Sequence, residues 1–316
     1  PSPADKMEVV LTTICLAARD TNLYTFERSD GGVLPAVTPG AHILLMLPSG
    51  VERQYSLTNY GTDLTKYVVG VKLDPNSRGG SLFMHNQLRV GTKIDIEGPL
   101  NNFPLVEDAE HVVLVAGGIG VTPIYSMAKR LIELGRSWEL HYSTRSRVDA
   151  AFLKEFEQHE QVHFHFDDEH EGKFLDVPGI VGKAPQNAHL YCCGPKPMLD
   201  AFEKAAAGRP PDHIHVEYFT PKYEAADEGG FTVVLARSNK EIKVPEGQTI
   251  LQVVRDAGLD VPFSCEEGIC GACETRVVEG IPDHRDSILT ESEREQNATM
   301  MICCSGSKSP KLVLDI

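Results

Sequence analysis

The sequence predicts a multidomain chain: an antiparallel β-barrel, then an α/β domain built on a parallel sheet, then a small strand-rich domain. Three observations predict it. From Met7 to about Pro104, short β-rich stretches such as Ala41 to Leu47 and Lys66 to Leu73 alternate with Gly, Pro and Asn turns at hairpin-like spacing. From Glu107 to about Phe219 the rhythm becomes apolar strand, glycine turn, amphipathic helix, the alternation that gives a parallel sheet with right-handed crossovers. Pro221 to Gly230 then combines proline, three acidic residues and a Gly-Gly pair, the composition of an exposed linker. The expected boundaries are 1–105, 106–223, a linker at 224–230, and 231–316.

In the middle domain the expected strands are His111 to Ala116, Trp138 to Ser143, Val162 to Phe166 and His189 to Cys192. Helices are expected at Ile124 to Leu134, Ala150 to His159 and Pro197 to Ala207. The last domain should begin with an alternating strand at Phe231, turn at Pro245 to Gly247, and continue as a short amphipathic helix from Thr249 to Ala257.

The 316 residues leave room for two or three cores, and 41% hydrophobic with 24% charged residues is ordinary globular composition. The formal charge of −15, from 30 basic and 45 acidic residues, argues against nucleic-acid or anionic-membrane partners, because both would repel the chain. The longest apolar run, Val112 to Val121, contains three glycines and falls short of the ~20 residues a bilayer requires. No charged-then-apolar signal segment opens the sequence, so the expected location is cytoplasmic. Eight cysteines in this setting point to metal binding or redox chemistry before disulfides.

Cys265, Cys270 and Cys273 form a C-x4-C-x2-C run, and Cys303 follows after 29 residues. This is the plant-type [2Fe–2S] spacing: each iron takes two terminal thiolates besides the bridging sulfides. Gly268, Gly271 and Ala272 let the loop wrap closely and aim N–H groups at sulfur. Zinc is the competing reading, but it usually joins two C-x2-4-C hairpins, and the distal half offers only the adjacent pair Cys303-Cys304. Spacing alone leaves the fourth ligand open between those two; Cys303 is chosen. Cys15, Cys192 and Cys304 are expected to be packing residues.

Gly117-Gly118-Ile119-Gly120 falls where the first strand of the α/β domain should end and a helix begin, a place where a pyrophosphate can approach backbone N–H groups. Its spacing differs from G-x-G-x-x-G, so the turn alone is a weak signal. Cys193-Gly194-Pro195-Lys196 repeats the strand–glycine–helix arrangement, and two such turns at neighbouring strand ends would border one ligand crevice. On the barrel strand Arg53-Gln54-Tyr55-Ser56-Leu57-Thr58, alternation puts Arg53, Tyr55 and Leu57 on one face and Ser56 and Thr58 on the other. Arg suits phosphate, Tyr an aromatic ring and Ser a ring nitrogen. Ser77-Arg78-Gly79-Gly80-Ser81 is a second possible phosphate nest.

Taken in order, Arg-x-Tyr-Ser-Leu, Arg-Gly-Gly-Ser, Gly-Gly-Ile-Gly-x-Thr-Pro, Cys-Gly-Pro and the C-terminal cysteine run resemble the phthalate dioxygenase reductase family over essentially the whole chain. The resemblance implies an FMN-binding barrel at 1–105, an NADH-binding α/β domain at 106–223 and a β-grasp ferredoxin domain at 231–316. It implies that Arg53, Tyr55, Ser56 and Leu57 hold the flavin, that Gly80 and Ser81 meet its phosphate, that Val71 and Lys72 edge the ring, and that Phe219 covers it. Gly118, Thr122, Thr144, Arg145, Cys193, Gly194 and Met198 would line the nicotinamide nucleotide. The chain departs from the pattern where Thr144-Arg145 is followed by Ser146 and Arg147 instead of an acidic residue; an arginine there suits a 2′-phosphate, so NADPH stays open beside NADH.

The implied activity is electron transfer from NADH through FMN and the Cys265/Cys270/Cys273/Cys303 cluster to a Rieske-type oxygenase acting on an aromatic carboxylate. Flavin is the converter, since nicotinamide delivers a hydride and the cluster accepts single electrons. No general acid or base is required. Ser56, as a hydrogen-bond donor at the flavin edge, is the one catalytic candidate, and His141, His163 and His165 are expected to be structural. Residues 231–316 hold 9 basic and 14 acidic residues, which suits a transient docking patch for a basic acceptor. A cytochrome or another oxygenase as acceptor is the alternative reading; a non-enzymatic zinc module is a third. A monomer is expected, since an electron shuttle needs an accessible cluster.

Overall fold

The computed structural model describes residues 6–62, 64–75, 77 and 79–316. Arg78 of the suggested phosphate nest lies outside the described residues. The chain divides into two compact units, Pro1–Glu217 and Tyr218–Ile316, where the sequence suggested three domains.

The first unit begins with β1 (Lys6–Ala18), β2 (Thr21–Arg28), β3 (His42–Met46), β4 (Glu52–Ser56) and β5 (Lys66–Lys72), then the short helix α1 (Gly80–Asn86) and β6 (Lys93–Leu100). These strands form one antiparallel sheet in the order β4-β3-β6-β1-β2-β5. Alternate residues point inward: Val9 and Leu11, Tyr24 and Phe26, Ile43 and Leu45, Tyr67 and Val69, and Ile94 and Ile96 are buried. The expected barrel is observed as a six-stranded sheet whose edge strands meet at one bridge, Leu57 with Val69, and at the Thr58 N–H bond to the Val68 carbonyl (2.8 Å). No continuous ladder closes it among the described residues, because β4 stops at Ser56.

The same unit continues with β7 (Val112–Gly117), α2 (Val121–Glu133), β8 (Trp138–Thr144), α3 (Leu153–Phe156), β9 (Val162–Phe166), α4 (Val177–Lys183), β10 (His189–Cys193), α5 (Lys196–Ala206) and β11 (Ile214–Glu217). The five strands pair in parallel in the order β11-β10-β7-β8-β9. The helix expected over Ala150 to His159 shrinks to four residues, because Phe152 adopts a left-handed backbone (φ 59°) immediately before it. The unpredicted α4 is announced by Asp176-Val177-Pro178: Asp176 caps the Gly179 N–H, and proline occupies the first turn.

The expected boundary at residue 105 is not a break in packing. Ala18 and Phe103 belong to the same buried cluster as Val112, Ile124 and Tyr191. The Tyr191 hydroxyl donates to the Pro104 carbonyl (3.1 Å) and accepts from the Val106 N–H (2.8 Å), and Gly40 N–H donates to the buried Ser126 hydroxyl (3.2 Å).

The second unit contains β12 (Phe231–Leu235), β13 (Lys240–Val244), α6 (Ile250–Asp256), β14 (Glu274–Glu279), β15 (Pro282–Asp283), α7 (Glu291–Gln296), β16 (Thr299–Met301), β17 (Gly306–Ser307) and β18 (Lys311–Leu314). Its main sheet runs β13-β12-β18-β14-β16, and β12 and β18 are parallel neighbours. Thr249 and Gln252 form a capping box that starts α6. The stretch expected to be an exposed linker is largely exposed, and its backbone is hydrogen-bonded to this unit: Ala226 N–H donates to the Cys304 carbonyl, Gly247 N–H to the Asp227 carbonyl and Gly230 N–H to the Val244 carbonyl.

Arg209 illustrates how α4 and α5 are fastened. Its nearly buried guanidinium donates to the carbonyls of Val181, Ala184 and Pro185 (2.6–2.7 Å), groups at the open end of α4. Arg209→Met should destabilise the first unit by about 3 kcal/mol, because three buried acceptors lose their donors. Urea unfolding should show the lowered midpoint, and Arg209→Lys should recover less than half of the loss.

Candidate functional site

The cysteine loop of the second unit folds so that four sulfurs converge. The Cys265 sulfur is an acceptor within hydrogen-bonding reach of the Cys270 and Cys303 thiols, and the Cys273 sulfur one within reach of the Cys303 thiol. Backbone N–H groups are aimed at these sulfurs: Glu267 at Cys265 (3.3 Å) and Ala272 at Cys270 (3.4 Å). Donors from the Cys270 and Cys303 thiols, together with the Glu267 and Ile269 N–H groups, hold the Cys265 thiol well below its usual range, as a thiolate ligand requires.

Cys304 sits behind the loop. A Cβ on Gly268 (φ +69°) would lie 2.4 Å from its sulfur, and its thiol faces the Met301 carbonyl (3.8 Å). Asp286, fully buried, accepts from the Ile288 and Leu289 N–H groups, and Ser287 N–H donates to the Gly268 carbonyl, so the loop is pinned from below. Cys192 is buried as expected, but Cys15 is exposed: it lies where β1 runs past its core and successive side chains face solvent.

In the first sheet Arg53 and the Gly80-Ser81 turn come together. A Cβ on Gly80 would lie 2.6 Å from Arg53 Cγ, so the arginine stem packs on the glycine. Ser81 Oγ accepts from the Asp74 N–H (3.1 Å). Tyr55 is half-buried, and burial pushes its phenol up. Ser56, Leu57 and Thr58 are all buried, so strict alternation of faces fails beyond Ser56, where the chain bridges to β5. On β5, Val71 is buried, and its carbonyl lies 2.9 Å from Nε2 of His85 on α1, while Lys72 is half-buried.

The two glycine turns of the parallel sheet lie against each other. A Cβ on Gly120 would stand 2.2 Å from the Cys193 carbonyl oxygen, and one on Gly194 would meet Met198 Sδ at 2.7 Å and Gly117 Cα at 3.1 Å. Gly118 has φ +53° and open space beside it. Thr122 Oγ1 donates to the Ile119 carbonyl, and its methyl lies against Gly70 of β5, which brings the first turn to the strand carrying Val71 and Lys72. Thr144 is buried at the end of β8 and donates to the Ser146 carbonyl (2.8 Å), whereas Arg145 is exposed. Arg147, considered for a 2′-phosphate, is already engaged: it donates to Glu169 (2.8 Å) and Glu157 (3.3 Å) and lies over the Phe166 ring.

Glu217 is a residue that none of the sequence motifs singles out. At the end of β11 its carboxylate lies 3.9 Å from the buried Cys193 sulfur, and burial raises its pKa to about 8. The signal available in sequence was an acidic residue closing an apolar strand. Phe219 belongs to the second unit and is partly exposed. His165 Nε2 is paired with the Lys173 carbonyl (2.7 Å).

Residues 233–307 match the 2Fe-2S iron-sulfur cluster binding domain, and residues 114–204 match the oxidoreductase NAD-binding domain. The chain is 48% identical over 323 residues to the tetrachlorobenzoquinone reductase of Sphingobium chlorophenolicum, covering 100% of this chain and 99% of the relative. It is 49% identical over 304 residues to phenoxybenzoate dioxygenase subunit beta of Ectopseudomonas oleovorans, covering 96% and 95%. Among solved structures, phthalate dioxygenase reductase, described as a modular structure for electron transfer from pyridine nucleotides to [2Fe–2S], superposes with a TM-score of 0.72 at 36% identity, covering 98% of each chain.

Two outcomes follow from this geometry. Gly120→Ala should force the β7 and β10 turns apart and weaken nucleotide binding by on the order of 10-fold or more, measured by isothermal titration with NADH. The folded chain should hold the Glu217 proton up to about pH 8, whereas the unfolded chain releases it near 4.5. Stability should therefore fall as pH rises through that window, and Glu217→Gln should remove this slope from denaturation midpoints measured between pH 5 and 8.

Proposed function

The chain belongs to the phthalate dioxygenase reductase family, and from that membership we propose that it passes electrons from NADH to a Rieske-type oxygenase acting on an aromatic carboxylate. FMN, when bound, would supply the conversion between a hydride and single electrons, and Cys265, Cys270, Cys273 and Cys303 would hold a [2Fe–2S] cluster that supplies one-electron chemistry. The observation that carries this reading is the convergence of Cys265, Cys270, Cys273 and Cys303 under backbone N–H donors. Four sulfurs alone would also suit zinc; the match to the 2Fe-2S domain over these residues favours iron.

The residues divide the work. Arg53, with Gly80 and Ser81, would hold the flavin phosphate, and its packing on Gly80 supports that role. Tyr55, Ser56, Leu57, Val71 and Lys72 would surround the ring, with the Ser56 hydroxyl as a donor at its reacting edge. Gly118, Thr122, Cys193, Gly194 and Met198 would receive the nucleotide, with Thr144 and Arg145 at its far end. NADH suits the site better than NADPH, because Arg147 is neutralised by Glu157 and Glu169. Residues 1–105 form the flavin β-barrel in this reading, 106–223 the nucleotide domain, and 231–316 a β-grasp ferredoxin domain reached through 224–230. The surroundings are cytoplasmic and the chain monomeric. No helix among the described residues is long and apolar enough to cross a membrane.

A second acceptor class, a quinone, is favoured by the 48% identity to a tetrachlorobenzoquinone reductase. Anaerobic NADH titration followed by a panel of acceptors separates the two. Cys303→Ser should lose the cluster's iron and transfer to one-electron acceptors while NADH still bleaches the flavin. Cys304→Ser should retain about two irons per chain, as a [2Fe–2S] cluster requires. Iron analysis and separate flavin and cluster absorbance bands would show either result.

A further inference from the structure

We propose that Glu139, His141 and His163 form a binding site for a divalent transition-metal ion of the zinc class, apart from the cysteine loop. β8 and β9 run parallel, and His141 and His163 are register partners; Glu139, two residues earlier on β8, shares their face. One ligand atom from each residue lies within 4.8 Å of the others. His141 Nε2 stands 3.6 Å from Glu139 Oε1, and the two imidazole rings are 4.9 Å apart, centre to centre.

Ligands bound at 2.0–2.2 Å around a tetrahedral ion stand roughly 3.4 Å from one another. His163 is exposed and Glu139 and His141 are only half-buried, which leaves these side chains room to adjust the present spacing. Two imidazoles and a carboxylate are a donor set for zinc, nickel or copper(II) and not for magnesium or calcium. Burial lowers the His141 pKa, which favours the neutral ring that binds metal. A cavity of about 860 Å³, lined in part by Glu139, His141, His165, Lys173 and Lys183, opens beside the site and gives an entry path and room for a water ligand. Lys173 and Lys183 are opposing charges there, both on flexible stems, and Lys183 is the one that acts on His141. The consequence is structural as well as chemical: β9 lies at the end of the strand order, with β8 as its strand neighbour among the described residues, and an ion held by both would clamp it.

The test uses tag-free protein carrying both redox cofactors, with the exposed Cys15 replaced by serine and adventitious metal removed by a mild chelator. Equilibrium dialysis against buffered Zn²⁺, followed by elemental analysis of zinc and iron, should show one zinc taken up per chain with iron unchanged. His163→Ala and His141→Ala should each weaken zinc binding by at least the roughly 10- to 100-fold that loss of an outer-shell partner costs. His163 is exposed, so that variant should fold normally. No zinc uptake, uptake equal in His163→Ala, or uptake matched by iron loss would each overturn the proposal.

Discussion

Close approach of glycine backbone to neighbouring atoms is the constraint on which the candidate cofactor sites of this molecule depend. At Gly120 the first turn of the parallel sheet touches the carbonyl of Cys193, at Gly268 the cysteine loop lies on the sulfur of Cys304, and at Gly80 the helix start lies under the stem of Arg53. In each case a single added carbon would stand well inside van der Waals contact, so the turn would have to move. The chemistry explains why the space is spent this way. Pyrophosphate and thiolate are both anions best held by backbone N–H groups, and those groups reach a ligand only where side chains do not intervene.

Charge is handled locally in the same manner. The chain is strongly acidic, and the cysteine loop itself contains Glu266 and Glu267, yet the sulfurs meet N–H donors from Glu267 and Ala272. Burial also sets the protonation of Glu217. Burial beside the Cys193 thiol lets its carboxyl hold a proton far above its ordinary range.

Much of this was legible in the sequence because it is written in local spacing. Four of the five strands of the parallel sheet could be placed to within a residue or two from apolar runs, while β11 was not foreseen, and the cysteine run announced a four-sulfur site without any knowledge of its partners in space. What stayed hidden was set by contacts distant in sequence. Apolar runs could not show that Phe103 and Ala18 would join the core of the parallel sheet, so a boundary was expected at residue 105. The Pro221–Gly230 composition could not reveal that Ala226 bonds to Cys304. Spacing left Cys303 and Cys304 equivalent, whereas strand direction after Met301 turns one sulfur toward Cys265 and Cys273 and the other under Gly268. The pairing of His141 with His163 likewise depends on the register of two strands separated by a helix.

The division into two compact units rather than three has a physical sense. Hydride transfer makes and breaks a bond, so the two rings that exchange it must be held near contact distance, and a misplacement of about 1 Å is costly. The sheets that carry the flavin and nucleotide candidates share one buried core, fastened at Tyr191, Ser126 and the Thr122–Gly70 contact. Passing a single electron forms no bond between donor and acceptor, and its geometry is less demanding. The cysteine loop accordingly belongs to a unit with a core of its own, built on Val233, Leu251, Met300 and Leu312, and that core has no need to merge with the other. The step that tolerates the least positional error is thus the one whose two sites were folded as a single body.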